Sequence, residues 1–283
     1  MFFPMETEVI FTEKLDRFTC AVLLIETVKY LLFHRYQMLL PFDQLKAEDE
    51  RDRKLENARR SPRHRPLPSV LKKKRQLIAD VEELILNLHQ AFLQGDISQV
   101  LLLFGATVVN PKEIYSIRFS NIAAACDADR MKARCLAGKE NGLNSRSKFV
   151  DKCCRKLART LFTDPSLNER GELGCTSVHF FILAPRNTDT TWFRPKSSFK
   201  VPKKGKSCEI RIQSGSDGYI GMPGGNDGEI RTLHGHDGTS DGDVGTLGDS
   251  DGDQDTLWFQ APVVIKGYKE AYKETVESSM WKK

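Results

Sequence analysis

Between residues 214 and 255 the chain carries twelve glycines and nine aspartates, and Glu229 and Arg231 are the only other Asp, Glu, Lys or Arg side chains there. Such a stretch cannot bury enough apolar surface to offset the entropy of ordering it. It is expected to be a disordered acidic loop, inserted over residues 214–256. Any fold must then be assembled from the sequence before it and the short segment after it. The tract divides the C-terminal sequence without necessarily dividing the fold. It also carries a net charge of −9, so that a chain of net charge +5 leaves about +14 on everything else.

Outside the tract the composition is that of a globular protein, with 40% hydrophobic residues in 283. This excludes a wholly disordered, collagen-like or membrane-spanning chain. The most apolar stretch, 18–36, is interrupted by Glu26, Lys29 and Arg35, and so falls short of a membrane span. The N-terminus, MFFPMETEVIF, is acidic where a signal peptide would be basic, so no targeting segment is expected. Seven cysteines without any C-x-x-C indicate reduced thiols in a cytosolic or nuclear protein.

Helical periodicity marks three helices. The first spans 13–38, with Phe18, Val22, Ile25, Leu32 and Tyr36 on one face. The second spans 75–94, with Ile78, Val81, Ile85, Leu88 and Phe92 as its stripe and Gly95 as its cap. The third spans 147–162, where Val150, Cys153, Cys154, Leu157 and Leu161 oppose Lys148, Lys152, Arg155, Lys156 and Arg159. Residues 47–75 are rich in Arg and Lys, poor in apolar side chains and contain Pro62, Pro66 and Pro68. They read as a linker loop. No aromatic residue lies between Glu48 and Arg75, which argues against base stacking. A solvated loop or a nuclear-targeting patch fits better, and Ser61-Pro62 has the form of a proline-directed phosphorylation site.

Strands fill the rest. The continuous apolar run 100–109 predicts a strand buried on both faces. After the turn signal at 110–113, Tyr115, Ile117 and Phe119 alternate with polar residues, completing a hairpin. Further strands are expected at 176–183, 198–201, 207–213 and 257–266. No strand-helix-strand alternation is sustained, so the fold class is α+β with a largely antiparallel sheet.

No catalytic constellation emerges. The P-loop, G-x-S-x-G and H-E-x-x-H patterns are absent. His179 reads as an ordinary strand histidine. Asp249, Asp251, Asp253 and Asp255 fail as a calcium loop, because positions 6 and 12 are Gln254 and Gln260. Cys153-Cys154 point about 100° apart on a helix and cannot chelate or pair normally, and Cys153 is expected in the core. No catalytic residue, cofactor or metal ligand is assigned.

Several blocks in order resemble one family: Phe18-Thr19-Cys20, KYLLFHR ending at Arg35, LPFDQLK ending at Lys46, VLLLFG ending at Gly105, and PKEIY ending at Tyr115. Then come WFRPK ending at Lys196, FKVP ending at Pro202, WFQAPV ending at Val263, and KGYKE ending at Glu270. They look like the comet family, which binds and silences the spindle-checkpoint protein Mad-two. The WFRPK and WFQAPV blocks are the specific part.

The resemblance implies a HORMA-like domain over residues 13–272, between an N-terminal tail, 1–12, and a C-terminal tail, 273–283. Three helices would pack on one face of an antiparallel sheet, and a safety belt over 257–272 would wrap its edge. Trp258, Phe259, Gln260, Ala261, Pro262 and Val263 would form the belt's core, closed on its own chain. The implied function is that of a non-enzymatic adaptor. It would bind the closed form of Mad-two and present it to a Pch-two-type AAA+ ATPase, silencing the checkpoint. Partner-binding positions carried over are His34 and, on the third helix, Lys152, Arg155, Ala158, Arg159 and Phe162. Ala158 stands where the family has a phenylalanine. Either Phe162, one turn on, compensates, or the partner has changed shape, or affinity is lower. The tail that the family uses toward the ATPase corresponds here to residues 1–12. The implied location is nucleus and cytoplasm, with spindle or kinetochore in mitosis. A HORMA scaffold holding a partner peptide in meiotic chromosome remodelling, and a basic nucleic-acid-binding module, remain the alternative readings.

Overall fold

The computed structural model describes residues 5–58, 69–122, 147–188, 190–215 and 255–268. The basic run 59–65 with Ser61, the tract 216–254, the last belt residues 269–272 and the tail 273–283 lie outside the described residues.

The α+β class holds, but the sheet is mixed. In chain order the strands are β1 (Met5–Ile10), β2 (Gln99–Phe104), β3 (Glu113–Ser120), β4 (Ser177–Pro185), β5 (Arg194–Pro195), β6 (Lys206–Gln213), β7 (Thr256–Gln260) and β8 (Ile265–Lys266). The sheet runs β1-β6-β3-β2-β4-β7-β5, with β8 also paired to β4. Both β1 and β3 lie parallel to β6, and the other pairings are antiparallel. The expected hairpin is the β2–β3 pair, in register from Gln99 opposite Arg118 to Phe104 opposite Glu113. All six residues of β2 are buried, as its apolar run requires.

Five helices are described: α1 (Arg17–His34), α2 (Phe42–Ala58), α3 (Ser69–Gln94), α4 (Lys148–Thr163) and the single turn α5 (Pro165–Asn168). The three expected helices, α1, α3 and α4, lie on one face of the sheet. Helix α1 packs between the other two, α3 reaches β8, and α4 reaches β1. The core between them gathers Leu24, Leu31, Leu84, Leu157, Phe104, Phe180 and Ile210. The reverse face carries a smaller cluster of Leu101, Leu103, Ile114 and Phe181, covered by Val108, Phe199 and Trp258.

Four expectations need correction. Residues 5–10, assigned to a tail, form β1, because Thr7 and Val9 turn into the core while Glu6 and Glu8 face Arg211. The linker 47–75 is helical at both ends: α2 runs to Ala58 and α3 begins at Ser69. Helix α1 stops at His34, four residues short of the periodic reading. Residues 198–201 are not a strand. A turn between Pro195 and Pro202 sets Phe199 flat on Phe181, with ring centroids 4.1 Å apart and planes 10° apart.

Candidate protein-binding surface

Helix α4 begins at Ser147, whose side chain accepts a hydrogen bond from Val150 N as an N-cap. Val150, Cys153, Leu157 and Leu161 recur every three or four residues and are buried against α1 and β1. The opposite face is therefore forced outward. Lys152, Arg155, Ala158, Arg159 and Phe162 are all exposed on it. Lys152 donates to Glu13 Oε1 at 2.7 Å, which ties the start of this face to the segment before α1. That contact also holds the Glu13 carboxyl down, to about 2. Arg155 and Arg159 have no carboxylate partner among the described residues. They flank the small side chain of Ala158 on the same exposed face.

The far end of this face meets the end of α1. Phe162 is 57% exposed, yet its ring packs edge-on against Tyr30 at 5.0 Å. Tyr30 in turn stacks on His34 at 5.1 Å with an interplanar angle of 21°. Three polar contacts lock the group. The Tyr30 hydroxyl donates to Leu161 O at 2.9 Å, and Asn168 Nδ2 donates to Phe162 O at 2.7 Å. His34 Nε2 lies 3.1 Å from Asn168 Oδ1, so it carries the proton. Leu161 and Phe162 are in the last turn of α4, where carbonyls lack helical partners, and these side chains supply them. Burial pushes the Tyr30 hydroxyl up to about 12 and lowers the His34 imidazole. Both are neutral near pH 7.

Beneath this cluster α1 is anchored by a buried ion pair. Arg35 Nε and Nη2 donate to the two Glu113 oxygens at 2.8 and 2.7 Å, with side chains 1% and 4% exposed. Arg35 Nη2 also donates to Gly171 O, and the Tyr115 hydroxyl donates to the Glu113 carboxylate. The pair is bidentate and further hydrogen-bonded, the geometry that offsets the cost of removing both charges from water.

Of the positions expected to bind a partner, the structure thus brings His34 and Phe162 together and sets Lys152, Arg155, Ala158 and Arg159 along one face. The residues that join these positions, Tyr30 and Asn168, were missed. Tyr30 lies one helical turn before His34, and that spacing was the available signal. Asn168 has no local signal, since α5 brings it in.

The six residues 258–263 lie toward the opposite edge of the sheet from α4. β7 pairs with β4 on one side and β5 on the other, so WFRPK and WFQAPV share one sheet. Phe259 and Ala261 enter the helix-side core. Trp258 is half-buried on the reverse face, edge-on to Phe199 at 5.6 Å. Pro262 is exposed in the break between β7 and β8, where no ladder hydrogen bond is needed. The last described residues are docked by Gln37: Tyr268 N donates to Gln37 O at 2.8 Å.

No group of His, Cys, Asp and Glu suited to a metal occurs among the described residues. Asp249, Asp251 and Asp253 lie outside them, and Asp255 pairs with Arg186 at 2.7 Å. His179 is buried on β4. Cys153 is in the core, and burial pushes the thiols of Cys20 and Cys208 up to about 12 and about 11. Neither is a nucleophile near neutral pH. No described helix is long and apolar enough to cross a membrane.

A family model described as "p31comet: Mad1 and Cdc20-bound-Mad2 binding" matches residues 2–222. The chain is also similar to two curated proteins, each named MAD2L1-binding protein. The one from Mus musculus is 24% identical over 262 residues, covering 93% of this chain and 78% of its own length. The one from Homo sapiens is 24% identical over 264 residues, covering 93% and 79%.

Proposed function

Because this chain belongs to the p31comet family, we propose that it is an adaptor that binds the closed form of Mad2 through the outer face of α4 and the end of α1. The carrying observation is the composition of that surface: two exposed arginines with no carboxylate partner among the described residues, Arg155 and Arg159, leading to the exposed Phe162 ring, which packs on Tyr30, itself stacked on His34. Arginine and aromatic anchors backed by rigid neighbours are what interface hot spots are made of. Phe162 takes over the role of the aromatic that Ala158 lacks.

The fold is proposed to be HORMA-like, with 257–268 as part of a self-closed safety belt. Support comes from β7 and β8 filling the edge of β4 and from Phe259 completing the core, which leaves that edge no room for a client peptide. In this reading the chain presents Mad2 to a Pch-two-type ATPase, which supplies the energy for remodelling and checkpoint silencing. The chain then acts at the spindle or kinetochore in mitosis, and in nucleus and cytoplasm.

The test is a titration of the full chain against purified Mad2 held closed and held open. Preference for the closed form is expected, and Arg155→Glu with Arg159→Glu should weaken it by about tenfold or more. Equal affinity for the two forms, or unchanged binding by the double variant, sinks the assignment of this surface.

A further inference from the structure

The acidic tract leaves the described fold beside the basic face of α4. Strand β6 ends at Gln213, whose carbonyl accepts from Phe11 N at 2.8 Å. Ser214 Oγ accepts from Leu15 N at 2.7 Å, and Gly215 N donates to Glu13 O at 3.2 Å. A Cβ on Gly215 would collide with Thr12 O, so the chain is packed tightly against residues 11–15 up to this point. The side chain of the same Glu13 accepts from Lys152 of α4. Residue 216 therefore starts one hydrogen bond and one ion pair away from that helix.

The face it meets is cationic. Lys148, Lys152, Arg155, Lys156 and Arg159 are all exposed on α4, beside one exposed carboxylate, Asp151. Glu13 neutralises only Lys152. Arg159, two turns on, lies about 10 Å further along the axis. Residues 216–254 carry eight aspartates and Glu229 against Arg231, a net charge of −8. The chain returns at Asp255, whose carbonyl accepts from Arg186 N and whose carboxylate pairs with the Arg186 guanidinium. In the sheet β6 and β7 are four strand spacings apart, about 20 Å. A Gly-rich chain of about 40 residues has an average reach of about 35 Å, more than this connection needs.

We propose that in the free chain residues 216–254 lie across the outer face of α4, with their carboxylates against Lys148, Arg155, Lys156 and Arg159, and that a partner binding there must displace them. The contact itself stands on charge and connection; its regulatory meaning rests on the function proposed above, which puts Mad2 on this face. Each exposed pair is weak, but the tether holds the tract at an effective concentration on the order of millimolar. The tract is then a competitor that a folded partner surface overcomes.

Carbodiimide joins a lysine amine to a carboxylate in contact with it, and so reads the contact directly in the full chain. Glu13 with Lys152 is the internal control. Links from the tract to Lys148 or Lys156 are expected at about 50 mM salt and lost at about 0.5 M, where charges are screened beyond about 4 Å. The rival cations are Lys196, Lys200 and Lys203, which line a groove of about 570 Å³ on the reverse face of the sheet. A second arm replaces the eight aspartates by Asn, together with Glu229→Gln. This variant is expected to bind closed Mad2 about fivefold more tightly than wild type at low salt and equally at high salt. If the tract links to the reverse face or to nothing, while the Arg155→Glu, Arg159→Glu variant still loses Mad2 binding, the contact is refuted and the proposed function stands. If the links to α4 form but neutralising the tract leaves Mad2 affinity unchanged, displacement by Mad2 is overturned, and with it the placing of Mad2 on α4.

Discussion

Arg35 sits one residue past the last turn of α1, and the local sequence gives no sign that its charge is buried. The fold surrounds it with Glu113 and two carbonyls, and the Tyr115 hydroxyl donates to the same Glu113 carboxylate. Removing one partner of such a pair strands the other charge in the core. Glu113→Ala should therefore cost about 3–5 kcal/mol in guanidinium unfolding. Arg35→Met with Glu113→Leu should recover much of that loss, because no charge is then left unpaired. Three histidines, His179 buried and His34 and His89 partly buried, set a pH dependence. Burial lowers the imidazoles of His34, His89 and His179 from the ordinary 6.5. Below that pH the unfolded chain binds more protons than the folded one, so stability rises with pH and is lost as pH falls through about 6.5 and below. Unfolding free energy at pH 5.5 should be smaller than at pH 7.5, and His89→Leu should narrow the gap.

Helix α2 shows how an element escapes pattern reading. It has no apolar stripe: Phe42 and Leu45 are buried at its start, and Leu55 near its end is exposed. Charge holds it instead. Lys74 of α3 reaches Glu48 at 3.2 Å and Asp52 at 3.1 Å, and Arg75 reaches Asp49 at 3.0 Å and Glu56 at 2.9 Å. Asp49, the buried member, also pairs with Arg53 one turn on. The Glu and Asp spacing of four was visible in the sequence, but a stripe of charge reads equally as a solvated face. Asp49→Ala should loosen α2 selectively. Amide exchange over residues 46–56 should quicken by about tenfold, a loss of about 1.4 kcal/mol of local stability, with α1 and the second half of α3 unchanged. Helix α4 is the opposite case: its apolar spacing alone fixed which side chains face out.

At the scale of the molecule, the segment after the acidic tract is part of the central sheet. Phe259 completes the helix-side core from the far edge, so Phe259→Ala should cost about 3–5 kcal/mol. Trp258→Ala, on the half-buried reverse face, should cost less. Gly267 sits against the Gln37 amide: a Cβ there would collide with Gln37 Oε1. Gly267→Val should accordingly undock the end of the segment and lower the melting temperature of the whole domain rather than fray one end. Independent melting of residues 255–268 by site-resolved exchange would show that the segment is not integral to the core.

The amino-acid pattern by itself determined the amphipathic helices α1, α3 and α4, the doubly buried β2 and the hairpin it opens, and the outward face of α4. Each is specified by spacing within a few turns of chain. Only tertiary structure decided the direction of strand pairing, since alternation with a period of two is the same beside a parallel or an antiparallel neighbour. It also decided where α1 stops, because Tyr36 continues the helical stripe and no glycine marks the turn that Arg35 and Gln37 impose from the core. And it decided that Tyr30, His34, Phe162 and Asn168 form one surface, because Tyr30 of α1, 131 residues from Leu161, and Asn168 of α5 cap the last carbonyls of α4.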